Sequence, residues 1–208
     1  MSTSPPATSL PASWTCVRRV LVLLLLPVAA AGEASRPAIE PRRLHDEGLL
    51  HLRTRSVGDA RSLLARLEAA DPGHGFTQLL RGHCALLLDG DANRAEALYE
   101  QARATFDGDS DGMAEALHAV GRLCRQQQRW EEADEHYAKA VVLRPSNAAL
   151  AEEALFVRGK TLVLTEGGMR EAAEAFELGL STASDAWRPH FAREAAHARG
   201  LCGDAAAA

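Results

Sequence analysis

The sequence predicts an all-α fold built from stacked pairs of helices. The first observation behind this prediction is composition, because Ala, Leu, Glu and Arg are abundant and favour helices, whereas β-branched residues are sparse. The second is a local pattern that recurs at nearly constant spacing, as it does in repeat proteins. Hydrophobic residues make up 47% and charged residues 25% of the 208 residues, a balance that favours a globular chain over a disordered one.

The recurring pattern consists of a turn, an alanine and an aromatic residue four positions later. The three clear copies contain Ala95 with Tyr99, Ala133 with Tyr137, and Ala172 with Phe176. Successive alanines are 38 and 39 residues apart, and a weaker copy runs from Gly58 to Leu67. A small alanine lets two helices approach closely, and the aromatic side chain one turn later fills the space beside it. Each copy is therefore expected to be the second helix of an antiparallel pair.

The best copy resembles the tetratricopeptide repeat family. The residues that carry the resemblance are Leu117, Val120, Gly121, Cys124, Ala133, Tyr137, Ala140 and Pro145. The resemblance covers about residues 44–183. It implies a right-handed α-α superhelix of about four helix pairs plus a C-terminal capping helix. The family period is about 34 residues, so the longer steps here predict an irregular superhelix.

The first 34 residues predict a secretory signal peptide. Arg18 and Arg19 precede an apolar run over residues 20–31, which ends in the small residues Ala29, Ala30 and Ala31. This run is shorter than the roughly 20 residues that a membrane span needs. The prediction is export to the periplasm or the medium, with an uncleaved N-terminal anchor as the alternative.

Patterns of polar and apolar residues divide the remaining chain into segments. Residues 35–43 contain Pro37 and Pro41 and are expected to form an extended spacer. The repeats are expected over 44–183, the capping helix over 184–203 and a frayed tail over 204–208. The predicted helices cover residues 44–56, 59–70, 75–88, 92–106, 113–127, 131–143, 148–165, 169–182 and 186–201.

Several functional classes lack support in the sequence. A net charge of −5 without a Lys/Arg run argues against a nucleic-acid partner. The eight histidines are dispersed, no Cys-x-x-Cys is present, and no nucleophile or phosphate-loop motif occurs. We therefore expect no catalytic residues and no cofactor, although a catalytic site assembled only by folding would escape this reasoning. Cys84 and Cys124 are expected to pack in adjacent repeats, with a disulfide as the alternative.

The linker between the second and third predicted helix pairs carries half of a calcium-binding motif, which predicts a weak calcium site. Asp107, Asp109 and Asp111 alternate and Gly112 follows, as in the first half of a calcium-binding loop. The closing glutamate is missing, since His118 stands at the twelfth position of the loop. The alternative is a polar linker in which Ser110 or Asp111 caps the next helix.

The concave groove is the expected functional surface, because stacked helix pairs present an extended inner face that binds other proteins. Helical phase places eight candidates there: Arg81, Cys84, Glu115, His118, Arg122, Arg125, Arg158 and Thr161. Arginines in such a groove suit an acidic segment or a chain-terminal carboxylate. The predicted function is an exported scaffold that binds a protein or peptide, within an envelope or secretory assembly. The alternatives are a helical-repeat enzyme and a self-assembling structural protein, which would form a homo-oligomer.

Overall fold

The computed structural model describes the backbone of residues 40–207 and the side chains of residues 41–201. The predicted signal peptide lies outside these residues. Within them the chain is helical and contains no strand. The nine helices are α1 (Glu40–Arg53), α2 (Val57–Ala70), α3 (Gly75–Leu87), α4 (Ala92–Thr105), α5 (Ser110–Gln126), α6 (Trp130–Leu143), α7 (Ala148–Leu164), α8 (Met169–Thr182) and α9 (Arg188–Ala207).

Consecutive helices pack against each other from α1 to α9. In addition, α1 contacts α3, and α3 contacts α5. Helices α1 to α8 form the four expected pairs of an all-α repeat superhelix, and α9 packs on α8 as the expected cap. Within the described residues, none of the helices combines the length and apolar character that a membrane crossing needs.

The two ends of the helical array differ most from the sequence-based expectation. The first helix begins at Glu40, so the last part of the expected spacer is helical. Pro41 fits there because the first turn of a helix needs no amide hydrogen bond from it. At the other end α9 continues to Ala207, so the tail expected to fray is helical over residues 204–207.

The predicted alanine and aromatic residues form the core. Ala95, Ala133 and Ala172 are fully buried. The aromatic residues that follow them, Tyr99, Tyr137 and Phe176, are at most 1% exposed. Each aromatic ring packs on a glycine of the preceding helix, namely Gly82, Gly121 and Gly159, where a Cβ atom would meet the ring. The glycine in the first helix and the aromatic residue in the second therefore set the close approach of each pair.

Turns and caps at the helix ends keep the repeats in register. Arg55, Gly90, Gln128 and Gly167 have φ between 60° and 75° and end the first helices of the four pairs. This left-handed conformation is typical of a helix C-terminus and is least costly for glycine. Asp91 and Asn147 cap the starts of α4 and α7 through their side chains.

Candidate partner-binding groove

The first helices of the second, third and fourth pairs each carry a basic residue at the same position of the repeat. The residue that follows each of the packed glycines is His83 in α3, Arg122 in α5 and Lys160 in α7. The three side chains have different surroundings. Lys160 donates to Glu194 of α9 at 3.1 Å and lies 5.6 Å from the centre of the Trp130 ring. The Lys160 charge is therefore paired with the capping helix.

His83 belongs to a compact group of rings between α1, α3 and α4. Its Nδ1 atom lies 2.9 Å from the Tyr99 hydroxyl, and its ring centre lies 5.8 Å from that of the fully buried His45. Burial lowers the pKa of His83 well below its ordinary value, and the neighbouring charges of His45 and Arg122 act in the same direction. His83 is therefore neutral at physiological pH.

Glu153 of α7 is the centre of a second polar group. The Tyr137 hydroxyl donates to its Oε2 atom at 2.6 Å, and His118 Nε2 lies 3.4 Å from the same oxygen. The Arg125 guanidinium is 3.8 Å away, and the Glu153 side chain is 15% exposed. One carboxylate of α7 thus gathers side chains from α5 and α6.

The ionised form of Glu153 is strongly favoured. Burial by itself would raise its pKa, but the hydrogen bond and charge of His118, the Tyr137 hydroxyl and the charge of Arg122 lower the pKa of Glu153 to about 2. Burial raises the pKa of Tyr137, and the Glu153 charge adds to this effect. Tyr137 therefore remains a proton donor and Glu153 an acceptor over the physiological pH range.

Arg122 lies between these two groups. Its charge acts on His83 and Tyr99 on one side and on Tyr137 and Glu153 on the other. The side chain is half-buried, and within residues 41–201 it has neither a hydrogen bond nor an ion pair. A guanidinium in this position has the chemistry to bind an anion.

Aromatic side chains occupy the end of the groove next to α9. Phe156 lies 5.4 Å from Trp187 and 5.7 Å from Phe191, measured between ring centres. Arg125 lies over Trp187 with its guanidinium carbon 5.7 Å from the ring centre, a cation–π contact. The described groove therefore changes from polar at α3 and α5 to aromatic at α7 and α9.

The structure brings three of the five basic candidates together. His118, Arg122 and Arg125 follow one face of α5 and surround the polar groups described above. Arg81 instead donates to Glu68 of α2 at 2.9 Å, and Arg158 donates to Asp134 of α6 at 2.6 Å. These two arginines already bind carboxylates of second helices.

The three other groove candidates are engaged within the protein. Thr161 is buried and donates to the carbonyl groups of Trp130 and Val157, and Glu115 accepts from Arg144 at 2.7 Å. Cys84 is a buried free thiol, like Cys124, so both match the packing interpretation rather than the disulfide.

The three aspartates of the half calcium motif have separate surroundings. Asp109 caps α5 by accepting from the backbone amides of Asp111 and Gly112. Arg42 donates to Asp111 at 2.8 Å and Arg144 at 3.1 Å, while Asp107 is exposed. Arg42, with help from Arg144, lowers the pKa of Asp111. Over the described part of the chain no group of three acidic, His or Cys side chains is placed to hold a metal ion, and the calcium site stays a prediction.

Sequence reasoning missed Glu153, the Tyr137 hydroxyl and Trp187. The repeat pattern assigns Tyr137 to packing alone, because it does not show which group the Tyr137 hydroxyl contacts. The basic run of His118, Arg122 and Arg125 could have indicated a nearby carboxylate, but its source in α7 depends on how the helix pairs stack. Each of these missed groups contacts a residue of a neighbouring pair or of the capping segment.

Comparisons with known proteins agree with this architecture. Residues 76–146, from α3 to just beyond α6, match the family model of the tetratricopeptide repeat. No curated protein matches the sequence significantly. Among solved structures, PilF of Pseudomonas aeruginosa is similar with a TM-score of 0.57 and 21% identity, over 79% of this chain and 69% of that one.

Two further solved structures show the same likeness. MamA of AMB-1 has a TM-score of 0.54 and 21% identity, over 78% of this chain and 82% of that one. A putative kinesin light chain of Podosopora anserina, described as having nearly identical TPR-like repeats, has a TM-score of 0.53 and 20% identity, over 78% of this chain and 87% of that one. These identities are low, so the likenesses show the fold alone. Residues 76–146 therefore match the tetratricopeptide repeat within a chain of that fold, and this fold generally serves as a scaffold for protein–protein interaction.

Proposed function

We propose that this protein is a non-enzymatic scaffold that holds an acidic segment of a partner protein in its concave groove. The observation that carries the proposal is the half-buried Arg122, which has neither a hydrogen bond nor an ion pair within residues 41–201 and acts on Glu153 only through its charge. Arginines elsewhere in the first helices, such as Arg81, are paired with acidic side chains of this chain. Arg122 therefore keeps its binding capacity for another molecule.

The chemistry of Arg122 favours a carboxylate. A guanidinium offers a planar set of donors that matches a carboxylate with two parallel hydrogen bonds. Partial burial strengthens such a pair, because water screens it less than at the open surface. The nearby Tyr99 and Tyr137 hydroxyl groups are bonded to His83 and Glu153, so Arg122 is the group left to bind the ligand. An aspartate, a glutamate or a chain-terminal carboxylate of the partner would satisfy it.

The test uses a defined probe. A fluorescein-labelled peptide of alanine and glutamine with one central glutamate, acetylated and amidated at its ends, is titrated with the protein and followed by anisotropy. Arg122→Gln is expected to weaken binding by about tenfold, which corresponds to about 1.4 kcal/mol. Increasing ionic strength should weaken binding to the unmodified groove, because the contact is ionic.

Two controls belong to this experiment. Arg199→Gln removes an arginine that is paired with Glu177 beside the cap, and it should leave the affinity within about twofold. A peptide with glutamine in place of the glutamate should bind as weakly as the glutamate peptide binds Arg122→Gln. Equal affinity of Arg122→Gln and the unmodified protein for the glutamate peptide would refute the proposal.

We also propose that the scaffold acts after export, within an envelope or secretory assembly. Support comes from the sequence of residues 1–34, with its basic pair, short apolar run and small residues. The intact mass of the protein recovered from its native compartment tests the proposal, because removal of a signal near Ala31 or Ala34 shortens the chain. A mass that retains all residues from Met1 would favour the uncleaved anchor.

A further inference from the structure

We propose that Glu153 is a built-in carboxylate ligand that fills two of the three positions on the cationic face of α5 and limits a partner to one carboxylate, at Arg122. This inference rests on the proposed function, because it concerns the same groove. It assigns Glu153 a role in specificity, whereas a stability role alone would need only a satisfied hydrogen bond for Tyr137.

The cationic face of α5 consists of His118, Arg122 and Arg125. The Glu153 carboxylate approaches its two ends, His118 at 3.4 Å and Arg125 at 3.8 Å, but forms no ion pair with Arg122. Glu153 therefore behaves as the acidic side chain of a ligand would, except that it comes from the next helix pair. Its occupancy leaves a single open cationic position.

The repeat architecture does not by itself place the carboxylate of this glutamate beside an aromatic hydroxyl group. Gly121 and Gly159 are equivalent and 38 residues apart, so the equivalent of Glu153 in α5 is Glu115. Glu115 accepts from Arg144 at the end of α6. Tyr99, the equivalent of Tyr137, lies against His83 of its own pair instead of a carboxylate. The contact between Tyr137 and a carboxylate is thus a local feature of the junction between the third and fourth pairs.

The position that Glu153 fills is chemically suited to a second external carboxylate. Arg125 is 24% exposed and its Nε atom is buried without a hydrogen-bond partner. Its guanidinium is held over the Trp187 ring, which orients it without using its donors. If the Glu153 charge is removed, His118, Tyr137 and Arg125 can serve a ligand carboxylate one helical turn from Arg122.

The experiment compares two probes on four proteins. One peptide carries one glutamate, and the other carries two glutamates separated by one residue; both are otherwise alanine and glutamine, with blocked ends. The proteins are the unmodified chain, Glu153→Gln, Glu153→Gln with Arg125→Gln, and Arg122→Gln. Glutamine keeps the size of the side chain and an oxygen that accepts from Tyr137.

The unmodified chain is expected to bind the two peptides within about threefold of each other. Glu153→Gln should bind the two-glutamate peptide about tenfold more tightly than the unmodified chain does, and adding Arg125→Gln should abolish that gain. Unchanged affinity of Glu153→Gln for the two-glutamate peptide overturns the inference. If Arg122→Gln still loses binding in that case, the proposed function stands while the role of Glu153 fails.

The reverse result is also informative. If Arg122→Gln binds the peptides as well as the unmodified chain does, the proposed function fails. The role of Glu153 is then decided only by whether Glu153→Gln gains affinity for the two-glutamate peptide and loses that gain when Arg125→Gln is added. A fifth protein, Tyr137→Phe, guards against a folding defect in Glu153→Gln, because it keeps the carboxylate and removes only its 2.6 Å hydrogen bond. Tyr137→Phe should loosen Glu153 and raise the affinity for the two-glutamate peptide by about twofold to fivefold. No gain in either variant overturns the inference.

Discussion

The third and fourth helix pairs share one packing scheme but surround it with opposite chemistry. Tyr137 and Phe176 are both fully buried, and each packs on a glycine of its first helix. Around Tyr137 the structure assembles a hydroxyl group, a carboxylate, an imidazole and a guanidinium. Around Phe176 it assembles rings, with Phe156 at 6.0 Å between ring centres. The repeat backbone thus supports a polar group of side chains in one pair and an apolar cluster of rings in the next.

One pair of equivalent positions accounts for much of this difference. His118 and Phe156 each precede the packed glycine by three residues, in α5 and α7. His118 faces Glu153, whereas Phe156 contacts Trp187 and Phe191 beside the capping helix. An aromatic residue at this position fills space against the cap, and a histidine keeps a polar contact open.

The largest expected difference between the two pairs is in how the free energy of unfolding depends on pH. Because the folded-state pKa of Glu153 is depressed to about 2, Glu153 contributes stability that is fully present above its unfolded pKa of about 4.3 and is lost as the pH falls toward 2. The free energy of unfolding of the unmodified chain should exceed that of Glu153→Gln by about 2–4 kcal/mol near neutral pH, and the gap should shrink below pH 4. Chemical denaturation from pH 7 to pH 2 measures the gap.

A substitution in the aromatic fourth pair should not reproduce this behaviour. Phe176→Leu removes buried area without touching a charge, so its destabilisation should be nearly independent of pH. A gap between Glu153→Gln and the unmodified chain that stays constant from pH 7 to pH 2 would contradict the assignment of the depressed pKa.

A smaller effect distinguishes the packing of the two rings. A Cβ atom at Gly159 would overlap the Phe176 ring, whereas one at Gly121 would lie 3.0 Å from Cδ2 of Tyr137. Gly159→Ala should therefore destabilise the chain by about 2–3 kcal/mol through overpacking, and Gly121→Ala by about 1 kcal/mol or less. Thermal unfolding of the two variants gives the comparison, and equal destabilisation would show that the two pairs are packed with the same tolerance.

The smallest effect comes from exchanging the hydroxyl group between the pairs. Tyr137→Phe removes one donor to Glu153 but leaves His118 and Arg125 near it, and should cost about 1–1.5 kcal/mol. Phe176→Tyr adds a hydroxyl group to the ring cluster and should be destabilising by a similar amount if no partner is found. A neutral Phe176→Tyr would mean that the fourth pair already offers a hydrogen-bond partner.

Sequence reasoning recovers the fold because local chemistry encodes it. The alanine and aromatic positions define each second helix, and all three clear copies are buried as expected. The sequence predicts the start of the first helix four residues too late, because proline usually blocks a helix but is tolerated in its first turn, as at Pro41.

The groove is less predictable than the fold. His118, Arg122 and Arg125 follow from helical phase within one helix, whereas the pairing of Arg81 with Glu68 and of Arg158 with Asp134 depends on neighbouring helices. Phase shows which direction a side chain leaves its helix. Helical phase does not show which acidic side chain of a neighbouring helix forms an ion pair with a given arginine.

The ion pair between Arg42 and Asp111 has a consequence for how the array unfolds. It joins the first turn of α1 to the first turn of α5, so it crosses the entire second helix pair. In an ideal stacked array each unit senses only its immediate neighbours, and stabilities add along the chain. Here the N-terminal pair and the third pair share a direct contact, so deletion of α1 and α2 alters the start of α5 as well as the edge of α3. The pairs are thus not strictly interchangeable modules, because a chain shortened from its N-terminus also loses one exposed ionic contact at the start of α5.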